Sequence, residues 1–117
     1  MANEFKNRSQ KGLTSANTTP LYQTPDGKTS IMLELDIANT TSAVVEASVQ
    51  MLDKSVNANY ATGGRHIVKN APVPAGGSLM VIAGQKIVLE AGDKVRVTSS
   101  AANVMDAVAA ILEDVNS

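Results

Sequence analysis

The 117-residue chain has no cysteine or tryptophan, one phenylalanine and two tyrosines, and its ten basic and eleven acidic residues leave a formal net charge of −1. This composition excludes disulfides, thiolate metal sites and a cysteine nucleophile, and it gives no global electrostatic pull toward nucleic acid or an anionic membrane. One domain of this size buries roughly two-thirds of its unfolded surface, and an interior limited to Val, Ile, Leu, Ala and Met predicts a thin core helped by neighbouring subunits.

Residues 1–19 are polar and follow neither the helical nor the strand period, which predicts an amino-terminal arm ahead of a folded domain at 20–117. Fully extended, the arm would reach roughly 60 Å. Its candidate partner-binding residues are Phe5, Lys6, Arg8, Lys11 and Leu13. Three cations without an aromatic platform for stacking bases favour docking on protein over nucleic acid. The opening MANEFKNRSQKG lacks the apolar stretch of a signal peptide, and no run approaches the ~20 apolar residues that span a bilayer. The expectation is a soluble product made in the cytoplasm.

Leu21 and Tyr22, between Pro20 and Pro25, fit a short edge strand, and Pro25-Asp26-Gly27-Lys28 signals a turn. In 29–38, Ile31, Leu33, Leu35 and Ile37 alternate with Met32, Glu34 and Asp36; in 43–52, Val45, Ala47, Val49 and Met51 alternate with Val44, Glu46, Ser48 and Gln50. The period of two predicts two half-buried strands joined by the turn at 39–42, forming an antiparallel pair over one core. A further strand is expected at 60–62, continued by 65–69. Pro72 and Pro74 bracket Val73 and place that piece on a sheet edge or in the connection entering it.

Residues 78–83 and 85–89 are apolar runs broken at Gly84, and 94–98 alternate about Val95 and Val97; the reversal at 90–93 gives Gly92 a positive φ. Leu33, Leu35, Val49, Val88 and Val97 are expected in the core, with Glu34 and Gln50 exposed. Met32, Val44 and Leu52 leave apolar residues on second strand faces, which suggests a symmetric homo-oligomer, trimer or dimer. At 103–115, Val104, Val108, Ile111, Leu112 and Val115 fit a helical stripe, while alternation also fits a strand with two packed faces. The need to close an exposed sheet edge favours a strand over Met105–Glu113. The whole reads as all-β: a single antiparallel β-sandwich or jelly-roll-like domain.

No set of residues supports catalysis. His66 is the only histidine, and nothing near it has nucleophile-elbow spacing. Glu34, Asp36 and Glu46 resemble an acid/base or Ca²⁺ cluster only as far as any solvated strand face does. Gly63-Gly64 and Gly76-Gly77 lack the helix and lysine of a phosphate loop and read as turns or bulges. A non-enzymatic protein with no cofactor, metal, nucleic-acid or membrane partner is expected.

Several segments resemble the small β-sandwich virion proteins of tailed bacteriophages, including cyanophages, that attach to the capsid or to the neck and tail. They are the Asn39-Thr40 turn, V-P-A-G at 73–76, K-I-V-L-E-A-G-D at 86–93 and A-I-L-E at 110–113. The resemblance spans about Thr19 to Glu113. It implies a sandwich architecture and a virion location, with capsid decoration (a cement protein) as the first reading and a neck or tail accessory as the second. The rival from another class is a module that reads glycan on a host surface, for which only Phe5, Tyr22 and Tyr60 would be available.

Overall fold

A computed structural model describes residues 4–14, 20–52, 64–101 and 104–113. Its elements are β1 (Glu4–Gln10), β2 (Tyr22–Gln23), β3 (Ser30–Asn39), β4 (Val45–Leu52), β5 (Gly64–Val73), β6 (Ser78–Leu89), β7 (Lys94–Ser99) and β8 (Met105–Glu113). Pairing is nested: β4 with β5, β3 with β6, β2 with β7 and β1 with β8, all antiparallel. The chain is therefore one long hairpin. It rolls up because β8 also pairs with β3, and β7 with β4. The result is two four-stranded sheets, β1-β8-β3-β6 and β2-β7-β4-β5, the strand order of a jelly roll.

The core fills the space between the sheets. Met32, Leu35, Ile37, Ile82, Leu89, Met105, Ala107, Ala109 and Ile111 enter from one side, and Tyr22, Val45, Ala47, Val49, Val73, Val95 and Val97 from the other. The strand over Met105–Glu113 has the expected bounds. Its helical alternative fails because a four-residue repeat would bury Val108, which is exposed, whereas period two places Met105, Ala107, Ala109 and Ile111 inward. β2 and β5 are the edges of their sheet, which accommodates Pro72 where it interrupts no further strand. At the 90–93 reversal, Gly92 has φ 87° and Asp93 N–H donates to Glu90 O at 2.9 Å. A positive φ at that third position is what a type II turn requires.

Four expectations are corrected. The register of β3 against both neighbours skips Leu33, between Met32 and Glu34. This bulge switches the phase of the strand, so that Met32 joins Leu35 and Ile37 in the core while Ile31 and Leu33 are only half-buried. Second, β3 and β4 do not pair but lie in opposite sheets. Asn39 holds the crossover between them: its Nδ2 donates to Ala43 O (2.7 Å) and Val73 O (3.0 Å), and its Oδ1 accepts from Thr41 N–H (3.0 Å) and Thr41 Oγ1–H (2.8 Å). That uses the full hydrogen-bonding capacity of a buried amide.

Third, 78–83 and 85–89 are one strand, not two. The ladder steps from Ile87 to Ala83 on β6 while β3 advances from Met32 to Glu34, so a bulge absorbs the glycine and Val88 points outward, 58% exposed. Gln50, expected outside, is buried and accepts from Arg96 Nε at 3.1 Å. Met32 lies in the chain's own core and Leu52 is buried on the other face of β4, so of the residues assigned to second faces only Val44 is exposed. Fourth, residues 4–10 are not an unpacked arm but the edge strand β1, and Leu13 is buried in the core. The strand anticipated at 60–62 lies outside the described residues.

Leu35→Ala should cost about 2–5 kcal/mol through lost burial and cavity formation, whereas the outward Val88→Ala should stay within about 0.5 kcal/mol. Urea unfolding of both variants checks the registers; equal losses would contradict the bulges.

Candidate functional site

β1 shows little strand propensity of its own. It forms because β8 offers an open edge, along which the register runs without a break from Glu4 opposite Glu113 to Gln10 opposite Ala107. Side chains alternate across that ladder. Lys6 and Arg8, opposite the buried Ile111 and Ala109, face the interior side, and Phe5, Asn7 and Ser9 face out.

The interior side of β1 closes over a buried polar cluster. Glu113 is 1% exposed, and its Oε2 accepts a short 2.5 Å hydrogen bond from the Tyr22 hydroxyl, which also meets Ser30 Oγ at 2.7 Å. Glu113 Oε1 makes no aligned hydrogen bond and is met instead by the Lys6 ammonium at 3.2 Å. The Arg8 guanidinium sits 5.8 Å from the centre of the Tyr22 ring, within cation–π range. Burial and then the bond to Glu113 push the Tyr22 hydroxyl up to about 12. Burial alone would raise Glu113, but the Tyr22 hydroxyl and Lys6 outweigh it and hold the carboxyl below its ordinary value. The cluster ties β1, β3 and β8 to β2 of the other sheet. Its role is adhesion, since Tyr22, Ser30, Glu113 and Lys6 are paired with one another.

The outer face of the same sheet carries the feature most unlike an ordinary solvated surface. Register places Phe5 opposite Leu112, Leu112 opposite Ile31, and Ile31 opposite Val88. An apolar row thus crosses all four strands. Phe5 is 78% exposed, and Val88, Met80 and Val108 are also exposed. Met80 and Val108 flank Asp36 on neighbouring strands. Beside them, a hydrogen bond to Asp36, together with its charge, raises Glu34 above the ordinary carboxylate range. A run of exposed and half-buried apolar side chains across a whole sheet face is the kind of surface that covers itself against a partner.

Of the residues expected to bind a partner, Phe5 is on this outer face, Lys11 is exposed, Lys6 holds the strand to Glu113 of its own sheet, Arg8 holds it to Tyr22 of the other, and Leu13 is core, with its N–H donating to Met105 O at 2.9 Å. Glu34 and Asp36 are neighbours on β3, but Glu46 is on the other sheet, so the three carboxylates do not converge. His66 is exposed on the edge strand β5, opposite Gln50. Among the described residues no group of three or more His, Cys, Asp or Glu side chains is placed to hold a metal ion. Sequence reasoning missed both Glu113 and the apolar row. The signal for the row was present as a surplus of apolar residues over what one sheet face can bury.

Comparison with known proteins finds no matching family, no similar curated protein and no similar solved structure.

Tyr22→Phe should cost about 1–3 kcal/mol at neutral pH by leaving Glu113 Oε2 without its donor and the Ser30 hydroxyl without its acceptor. Because the hydroxyl titrates higher in the folded chain than its ordinary 10.0, its contribution is complete below pH 10 and is lost as pH rises through about 12. Urea unfolding between pH 8 and 12 should therefore show a steeper alkaline loss in the parent than in the variant.

Proposed function

We propose that this chain is a non-enzymatic structural protein of a tailed-bacteriophage particle, a capsid decoration protein that binds the shell and its own copies. The observation that carries the proposal is the apolar row Phe5–Leu112–Ile31–Val88 across the outer face of one sheet. A protein with so thin a core gains by covering such a row against a partner, and a shell repeats that gain at every symmetry-related site. The jelly-roll frame supports the reading as a scaffold used for capsid domains, although the same frame serves other roles. The segments at 39–40, 73–76, 86–93 and 110–113 support it through their resemblance to small virion proteins.

Glycan recognition is less well supported. It calls for exposed aromatic rings, and Tyr22 is buried at 3% exposure, leaving Phe5 as the exposed aromatic among the described residues.

The test is co-sedimentation with shells assembled from the major capsid protein of the same genome, then electron microscopy of the decorated particle. Wild-type protein should sediment with shells, and the double variant Phe5→Ser, Val88→Ser should bind at least about tenfold more weakly, as expected for central apolar contacts worth more than ~1.4 kcal/mol. No binding by the wild type would overturn the proposal, and density confined to the neck or tail would replace decoration by that location.

A further inference from the structure

β1 is attached unlike any other long strand of this fold. Its interior-side residues Glu4, Lys6, Arg8 and Gln10 are all polar, and its one large apolar residue, Phe5, points outward at 78% exposure. It therefore buries no apolar side chain in the core. Its attachments include the backbone ladder with β8, the Lys6–Glu113 ion pair at 3.2 Å, the Arg8–Tyr22 contact at 5.8 Å and a 3.3 Å hydrogen bond from Gln10 Nε2 to Pro20 O. Strands held this way lie at the low-stability end of a domain and open locally before the rest.

The surface beneath cannot stay bare at low cost. Without β1, Glu113 loses the Lys6 ammonium at 3.2 Å while remaining hydrogen-bonded to Tyr22 inside the sandwich, and the long β8 becomes an open sheet edge. The chain also provides a pivot. Gly12, two residues after β1, has φ 66° and donates its N–H to Asp106 Oδ1 at 3.0 Å, while the next residue, Leu13, is fixed in the core by burial and by its 2.9 Å bond to Met105 O. Release of the Gly12–Asp106 bond and rotation at Gly12 would free residues 4–10, a reach of about 23 Å, and leave Leu13 and the sandwich in place.

We propose that β1 exchanges between copies, so that Glu4–Gln10 of one chain pairs with β8 of a second copy in place of that copy's own β1. Every contact that β1 makes at home exists in identical form on another copy, including the carboxylate that selects for a lysine at position 6. The exchange therefore costs little in contacts, and concentration and the geometry at Gly12 decide its extent. The inference rests on the attachment of β1 and stands apart from the virion reading.

The test uses the absence of native cysteine. Asn7 and Ala110 are directly opposite in the β1–β8 ladder, both on the outer face, at a separation that a disulfide spans. Asn7→Cys and Ala110→Cys are made on separate chains, one with a mass tag, mixed at increasing concentration and oxidised. Ala38→Cys, exposed on the same face of β3, replaces Ala110→Cys as an off-register control. A double variant with Asn7→Cys and Ala110→Cys on one chain reports the home pairing at low concentration. The expected result is a mixed disulfide dimer, rising with concentration, in at least about tenfold excess over the off-register pair, because sites beyond ~7 Å cannot bridge. Closure of the double variant within one chain, with no mixed dimer above the control, would overturn the proposal. Failure of the double variant to close as well would also overturn it, since β1 would then not be a β8 partner in either setting.

Discussion

Everything in this fold depends on β8 being paired on both sides. It receives β1 along one edge and β3 along the other, and its Ala107, Ala109 and Ile111 line the middle of the core. A β3–β6 pair alone would expose the edge of β3 and have nothing opposite its apolar face but a separate β4–β5 hairpin. Insertion of β8 turns two hairpins into one closed roll. Small residues suit the position: Ala107 and Ala109 are buried to 0% and 1%, so a strand can sit between two others without enlarging a core that has few bulky groups to fill it.

The crossover at Asn39 and the cluster at Glu113 do the same work at different places on the sandwich. Each supplies to buried polar atoms the partners that water would otherwise provide. Asn39 reaches the backbone of the 39–43 arch and of β5, while Tyr22 reaches from one sheet to a carboxylate on the other. In a core with little aromatic mass these bonds add geometric definition that apolar burial alone would leave loose.

Much of the architecture was legible in the sequence because strands advertise themselves by alternation and turns by glycine, proline, asparagine and aspartate. The 25–28 and 90–93 turns and the edge position of Val73 with its flanking prolines come from such local rules, whereas the final strand, whose periodicity also fits a helix, comes from the need to close a sheet edge. Bulges do not. A single extra residue at Leu33 reverses which side of β3 is buried, and nothing in the alternation of Ile31, Leu33 and Leu35 announces it. β1 was hidden for a related reason: a strand held by a neighbour's backbone and by charge has no apolar pattern to read. Glu113 was unreadable because its partners, Tyr22 and Lys6, are distant in sequence and meet only when the roll closes. The apolar outer row was half visible, as residues counted toward a core that had no room for them.

The nested order of the strands has a kinetic side. Of the paired strands only β4 and β5 are close in sequence, whereas β3 must find β8 and β1 must find it across nearly the whole chain. Folds dominated by such distant pairings form in milliseconds to seconds, orders of magnitude slower than local ones. Until the distant partners meet, strand edges are open to other chains. A newly synthesised copy therefore passes through a stage in which its most adhesive surfaces are open, and crowding by its own kind at the ribosome would compete with closure of the roll.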